Sequence, residues 1–123
     1  MQIKSIDPIT LKKRLEEGTA VLVDVREPHE HAREHIEGAK LVPLSRFQAE
    51  NFAGFQDKTA VFHCHSGGRT SANAKLLTSK GFRDAYHLGG GIVAWKAACL
   101  LPFLGGVAYR EDDVEKLMHG DIV

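Results

Sequence analysis

The stretch Ala60–Thr70, AVFHCHSGGRT, constrains this chain more than any other. Its first half is an apolar run of strand length, and it ends on a cysteine. A short loop containing Gly67 and Gly68 follows, and a helix starts behind it. Glycine tolerates the dihedrals that let such a loop curl with its amides turned inward. Successive inward N–H groups form a nest for an anion, and a helix N-terminus adds unpaired N–H groups and a positive dipole end. A cysteine at that mouth is favoured as thiolate, its reactive form. Arg69 adds a fixed charge and a donor fork suited to oxyanions, and Thr70 is expected to cap the helix.

The rest of the chain reads as strands alternating with helices. Ile3–Ile6 is a short strand. Asp7 followed by Pro8 is a helix start, a carboxylate cap with proline in the first turn. Leu11 and Leu15 share a face of that helix, and Gly18 ends it. Ala20–Val25, AVLVDV, is almost continuously apolar, as in a strand covered on both faces. The spacing predicts a polar helix over Glu27–His35, a strand over Ala39–Val42 and a helix over Leu44–Phe55 with Leu44, Phe47 and Phe52 at helical intervals. Thr59–His63 is the central strand. Thr70–Lys80 is a helix with Ala72, Leu76 and Leu77 inward, closed by Gly81 with Phe82 packing back on Leu77. Ala85–Leu88 is a strand, and Gly91–Ala98 a core helix carrying Trp95. Short connections between alternating elements favour an α/β fold with a mostly parallel central sheet flanked by helices. Ligands then sit beyond the carboxyl ends of the strands, where Cys64 lies.

With 123 residues the chain suits one domain with a core of its own. Sixteen basic and sixteen acidic residues balance, which argues against a nucleic-acid surface. Two cysteines, Cys64 and Cys99, are too few for a disulfide framework. The N-terminus has no apolar run of a secretory signal, and the most apolar segment, Cys99–Tyr109, is far too short to span a bilayer. A soluble cytoplasmic protein without membrane partner is expected.

Three ordered motifs resemble those of rhodanese-like sulfurtransferases. VFHCHSGGRTSANAKLL is similar to the family's active-site segment. LVDVREPHEHAREHIEGAKLVPL resembles its N-terminal signature through Asp24-Val25-Arg26-Glu27-Pro28, His35-Ile36 and Gly38-Ala39. LGGGIVAWKAACLLP resembles its C-terminal signature through Gly90-Gly91-Ile92 and Ala94-Trp95. The likeness runs from about Ile6 to Pro102, so residues 1–102 are expected to form the domain and 103–123 an extension. His31 stands where many relatives have an aromatic residue, and Cys99 where many have glycine.

The resemblance implies the three-layer fold of that family. It also implies that Cys64 takes a sulfane sulfur from a donor such as thiosulfate, becomes a persulfide, and passes the sulfur to a thiol, a protein acceptor or cyanide. His65, Ser66, Gly67, Gly68 and Arg69 are the expected substrate-binding residues. Four residues separate Cys64 from Arg69. The related phosphatase and arsenate-reductase loops carry one more, enough to enclose a tetrahedral oxyanion, so sulfur transfer outranks hydrolysis. A persulfide carrier or redox-sensing module is the other reading. No prosthetic group is required, and no motif for one is present.

Other candidates read as structure. His29, His31 and His35 suggest a metal, but Arg33 stands where the zinc-protease spacing needs histidine, and a solvated helix accounts for all three. His35 is expected to bond the turn around Gly38. Asp24 and Arg26 follow a buried strand and are favoured as an internal ion pair over catalysts. His63 should point away from Cys64, since neighbours in a strand alternate. Trp95 and Cys99 are expected in the core, although Cys99 is also a candidate resolving thiol. Val114, Leu117 and Met118 share a face of an expected helix over Glu111–His119, which covers the domain or docks a partner. The oligomeric state is left open.

Overall fold

Alternation along two apolar runs builds the centre of the molecule. In the computed structural model, which describes residues 3–98 and the backbone of Phe103–Leu104, strand β2 (Ala20–Asp24) pairs in parallel with β5 (Thr59–His63) over five residues, Ala20 opposite Thr59 and Asp24 opposite His63. Leu22 and Val61 point to one face of the sheet; Val23 and Phe62 point to the other. Both faces are therefore apolar, as a sheet sandwiched between helices requires.

The strands β1 (Lys4–Ile6), β6 (Asp84–Leu88) and β4 (Lys40–Leu41) complete a five-stranded sheet of order β1-β6-β5-β2-β4, every pairing parallel. On one face, α1 (Pro8–Glu16) contributes Leu11, and α6 (Gly91–Ala97) contributes Ile92 and Trp95. On the other, α3 (Leu44–Phe47) contributes Phe47, and α5 (Ala74–Leu77) contributes Leu77. The expected α/β three-layer fold is present.

Local chemistry explains most boundaries. Asp7 caps α1 by accepting from the Thr10 amide at 3.1 Å, with Pro8 in the first turn. Gly18 follows the helix with φ +73°, where L side chains are strained. Gly81 does the same after a 3-10 turn, Thr78–Lys80.

Four expectations need correction. The helix over Leu44–Phe55 stops at Phe47. Phe47 and Phe52 both pack into one aromatic cluster, ring centroids 5.3 Å apart, with Phe62 and Phe82. Five residues apart on a continuous helix they would point about 140° away from each other. An Asn51 side chain bonding the Ala53 amide at 2.9 Å makes a turn instead. The helix over Thr70–Lys80 begins earlier, as α4 (Gly68–Ala72), and breaks at Asn73, whose side-chain amide donates to the Arg69 carbonyl at 2.8 Å. The buried stripe is Thr70, Ala74 and Leu77, at i, i+4 and i+7 spacing, and Ala72 is exposed on the opposite side. The polar helix is α2 (Pro28–Arg33); Glu34–His35 leave it as strand β3, paired antiparallel with β7 (Phe103–Leu104). Thr70 lies inside α4 rather than capping it; the cap position is Gly67 in a left-handed conformation. Cys99 and the expected helix over Glu111–His119 lie outside the described residues.

Candidate active site

Strands β2 and β5 end side by side, so the segments leaving them share one edge of the sheet. Cys64 follows β5 directly and is buried. Its Sγ accepts from the Gly67 amide at 3.1 Å and lies 3.7 Å from Thr70 Oγ1. The loop is held from behind by α6: the Ile92 amide donates to the Cys64 carbonyl at 3.0 Å, and the Val93 amide to the His65 carbonyl at 3.1 Å. With those carbonyls engaged elsewhere, the loop presents N–H groups to the sulfur.

Two glycines make this packing possible. Gly67 has φ +99° and sits against the Gly90 backbone. Gly91 has φ +60°, and a Cβ there would meet the Cys64 carbonyl oxygen at 2.5 Å and the His65 carbonyl oxygen as well. Burial opposes ionisation of Cys64. The Thr70 amide and hydroxyl and the amides of Gly67 and Arg69 outweigh it, and the thiol pKa lies below its ordinary 9.0.

Of the other expected site residues, His65 and Ser66 are exposed at the loop tip, Gly67 supplies the amide on Sγ, and Gly68 opens α4. Arg69 is more committed than its sequence context suggests. Its two terminal nitrogens donate to the two carboxylate oxygens of Glu30, each at 2.8 Å. Glu30 is fixed in turn by a reciprocal box with Glu27, whose amide donates to it at 3.1 Å. The Arg69 fork holds the Glu30 carboxyl at about 2, well below its ordinary range.

Beneath the loop is the expected ion pair. Asp24, fully buried, receives the Arg26 fork at 3.0 and 2.8 Å, the Arg26 amide at 3.0 Å and His31 Nδ1 at 2.9 Å. Burial pushes the Asp24 carboxyl up, but these donors pull it down to about 2. Arg26 also donates to the Glu34 carbonyl at 2.8 Å and so anchors the end of α2. His63 points away from the sulfur. Its Nδ1–H donates to the Cys64 carbonyl at 3.1 Å, and burial keeps the ring neutral despite Asp24 3.8 Å away. His35 stacks on His31 and donates from Nδ1 to the His31 carbonyl at 2.9 Å. Trp95 is buried in the core. Among the described residues no group of three His, Cys, Asp or Glu is placed to hold a metal, and no helix is long and apolar enough to cross a membrane.

Glu30 and His87 were not legible as site residues. Glu30 sits 39 positions from Arg69, and only the fold joins them. His87 lies in β6 and reaches Thr70 Oγ1 with Nδ1 at 2.8 Å; one histidine in a strand carries no signal of its own.

Comparison with known proteins agrees with this architecture. The family model described as Rhodanese-like domain matches residues 7–98. The chain is 40% identical over 96 residues to an uncharacterized protein of Synechocystis, covering 78% of this chain and 54% of that protein. It is 34% identical over 98 residues to the thiosulfate sulfurtransferase GlpE of Pseudomonas fluorescens, covering 78% of this chain and 87% of GlpE. The structure of a rhodanese-related protein from Thermoplasma volcanium superposes with a TM-score of 0.72 at 25% identity, over 82% of this chain and 98% of that one. The chain thus spans about half the length of the Synechocystis relative, and only 24% of the "Probable adenylyltransferase/sulfurtransferase MoeZ" of Mycobacterium tuberculosis, to which it is 43% identical over 94 residues. Fold, motif order and these matches agree: the chain belongs to the rhodanese-like domain family.

Proposed function

We propose that this protein is a sulfurtransferase that works through a persulfide on Cys64. The observation that carries the reading is the Gly67 amide 3.1 Å from Sγ, in a loop whose Cys64 and His65 carbonyls are bound by α6. Fixed amide donors of this kind stabilise the thiolate before reaction without reorganising during it. The relationship to a thiosulfate sulfurtransferase and the four-residue spacing between Cys64 and Arg69 support the same chemistry.

In the first half-reaction the Cys64 thiolate attacks the outer sulfur of thiosulfate. A bond forms between Sγ and that sulfur, the old S–S bond breaks, and sulfite leaves with the electron pair. In the second, an acceptor thiolate attacks the outer sulfur of the persulfide, takes it, and releases the Cys64 thiolate. Cyanide in place of the thiol gives thiocyanate. Arg69 and the loop amides stabilise the anionic donor and the departing sulfite.

A second reading, a carrier loaded by another protein's persulfide, has one specific observation in its favour: Arg69 already shares its charge with Glu30, which weakens its hold on a small dianion. Intact mass after thiosulfate, with Cys64→Ser alongside, separates the two. A gain of one sulfur on the native protein only, discharged by cyanide with thiocyanate appearing, is the expected result. An unchanged mass overturns thiosulfate transfer and leaves the carrier. Hydrolysis of an aryl phosphate that is lost in Cys64→Ser would instead make the site a phosphatase.

A further inference from the structure

A single hydroxyl proton has three claimants behind Cys64. Thr70 Oγ1 lies 3.7 Å from Cys64 Sγ, 3.1 Å from the Gly67 carbonyl oxygen and 2.8 Å from His87 Nδ1. The carbonyl can only accept, and so can a thiolate. His87 Nδ1 either donates or accepts, depending on its tautomer. If Nδ1 is bare, it is the nearest acceptor and takes the Thr70 proton, leaving both the Gly67 carbonyl and the sulfur without it. If Nδ1 carries hydrogen, His87 donates to Oγ1, and the Thr70 proton is free to serve the carbonyl and the sulfur. Only the second arrangement leaves the Thr70 proton on the side of the Gly67 carbonyl and the sulfur, which then share it.

We infer that His87 is a positioning residue: by donating from Nδ1 to Thr70 Oγ1 it aims the Thr70 hydroxyl at Cys64 and so holds the nucleophile as thiolate. His87 acts through Thr70 and does not touch the sulfur. The fold places it there because Phe62 on β5 is in register with His87 on β6, so β6 runs beside the strand that ends in Cys64. Half-burial disfavours the imidazolium, so the donor this assignment requires is the neutral Nδ1–H tautomer. The other charged and titratable groups around Cys64 include Arg69 on α4, its partner Glu30 on α2, the exposed His65 on the loop, His63 on β5 and Asp24 at the end of β2. The hydrogen-bond partners of the Thr70 hydroxyl are Cys64, Gly67 and His87.

The inference deepens the sulfurtransferase reading, but its test needs no sulfur donor. The rate of Cys64 alkylation by iodoacetamide is followed against pH by peptide mass, which keeps Cys99 separate. His87→Leu removes the donor; His87→Asn puts an amide N–H in nearly the same place. His87→Leu is expected to move the alkylation midpoint up by about half to one pH unit, slowing reaction near pH 7 by roughly three- to tenfold. The rate at high pH, where all thiols are ionised, should be unchanged. His87→Asn should restore the native midpoint. In a Thr70→Val background, His87→Leu should add nothing further, because the hydroxyl it aims is gone. A native midpoint in His87→Leu, no restoration by asparagine, or a full effect of His87→Leu without Thr70 would each overturn the assignment. If the midpoints behave as expected while thiosulfate adds no sulfur, the positioning role stands and the proposed donor falls.

Discussion

Arg69 and Glu30 meet through two parallel hydrogen bonds of 2.8 Å that join the helix behind the cysteine loop to the short helix after β2. The guanidinium on the helix that follows Cys64 is thus already compensated by a carboxylate. A thiolate, a guanidinium and a carboxylate together leave the pocket with one negative charge, unfavourable for a dianionic donor.

Removing that carboxylate charge should therefore help thiosulfate. Glu30→Gln is expected to raise kcat/KM for thiosulfate by roughly three- to tenfold, the scale of ~1 kcal/mol for one charge at a partly exposed site. The gain should shrink at high salt. Steady-state kinetics at two ionic strengths checks this; a fall in kcat/KM would mean that Glu30 matters more for ordering Arg69 than for its charge.

The buried Asp24–Arg26 pair should govern acid stability. Asp24→Asn leaves Arg26, 3% exposed, facing a neutral partner and should cost roughly 3–5 kcal/mol, read from urea unfolding; a loss under about 1 kcal/mol would count against the pair as a structural brace. In the native protein the Asp24 carboxyl is held at about 2 against an ordinary 3.8. A folded-state pKa lowered in this way stabilises the protein above the unfolded value, and the contribution is lost as pH falls from about 4 to about 2. Unfolding midpoints measured across that window should drop in the native chain and change much less in Asp24→Asn.

Gly91 should tolerate no side chain. Gly91→Ala would drive a Cβ into the Cys64 and His65 carbonyl oxygens at a positive φ. The expected cost is roughly 1–3 kcal/mol, together with loss of the two bonds that hold the cysteine loop to α6. Thermal unfolding and the Cys64 alkylation rate should both change; an alanine variant with native values of each would show that the loop has room to move.

The Cys64 thiol should ionise below its ordinary 9.0. Its alkylation rate should reach half-maximum at a lower pH in the folded protein than in the same chain unfolded in urea, and Thr70→Val should close part of that gap. Coincident folded and unfolded profiles would remove the case for a loop that stabilises the thiolate.

The sequence alone determined the elements that rest on local chemistry. Asp7 with Pro8, the apolar run before Asp24, and the cysteine-glycine-glycine-arginine loop carry their own reasons within a few residues, so the strand order of appearance, the start of α1 and the loop after β5 were legible. Leu44–Phe55 was misjudged because a period is only a local signal: Phe52 is placed by a ring cluster drawn from Phe47, Phe62 and Phe82, not by its own neighbours. Ala72 was placed on the wrong face because the buried stripe starts at a polar residue, Thr70, and runs through Ala74 and Leu77 at helical spacing. What only the tertiary structure decided was which distant groups meet around the cysteine loop. Glu30 on Arg69, His87 on Thr70 and the α6 amides on the loop carbonyls come from three separate segments. Hydrogen bonds act over about 3 Å, while the chain positions that make them are tens of residues apart, and parallel sheet register is what brings them within reach.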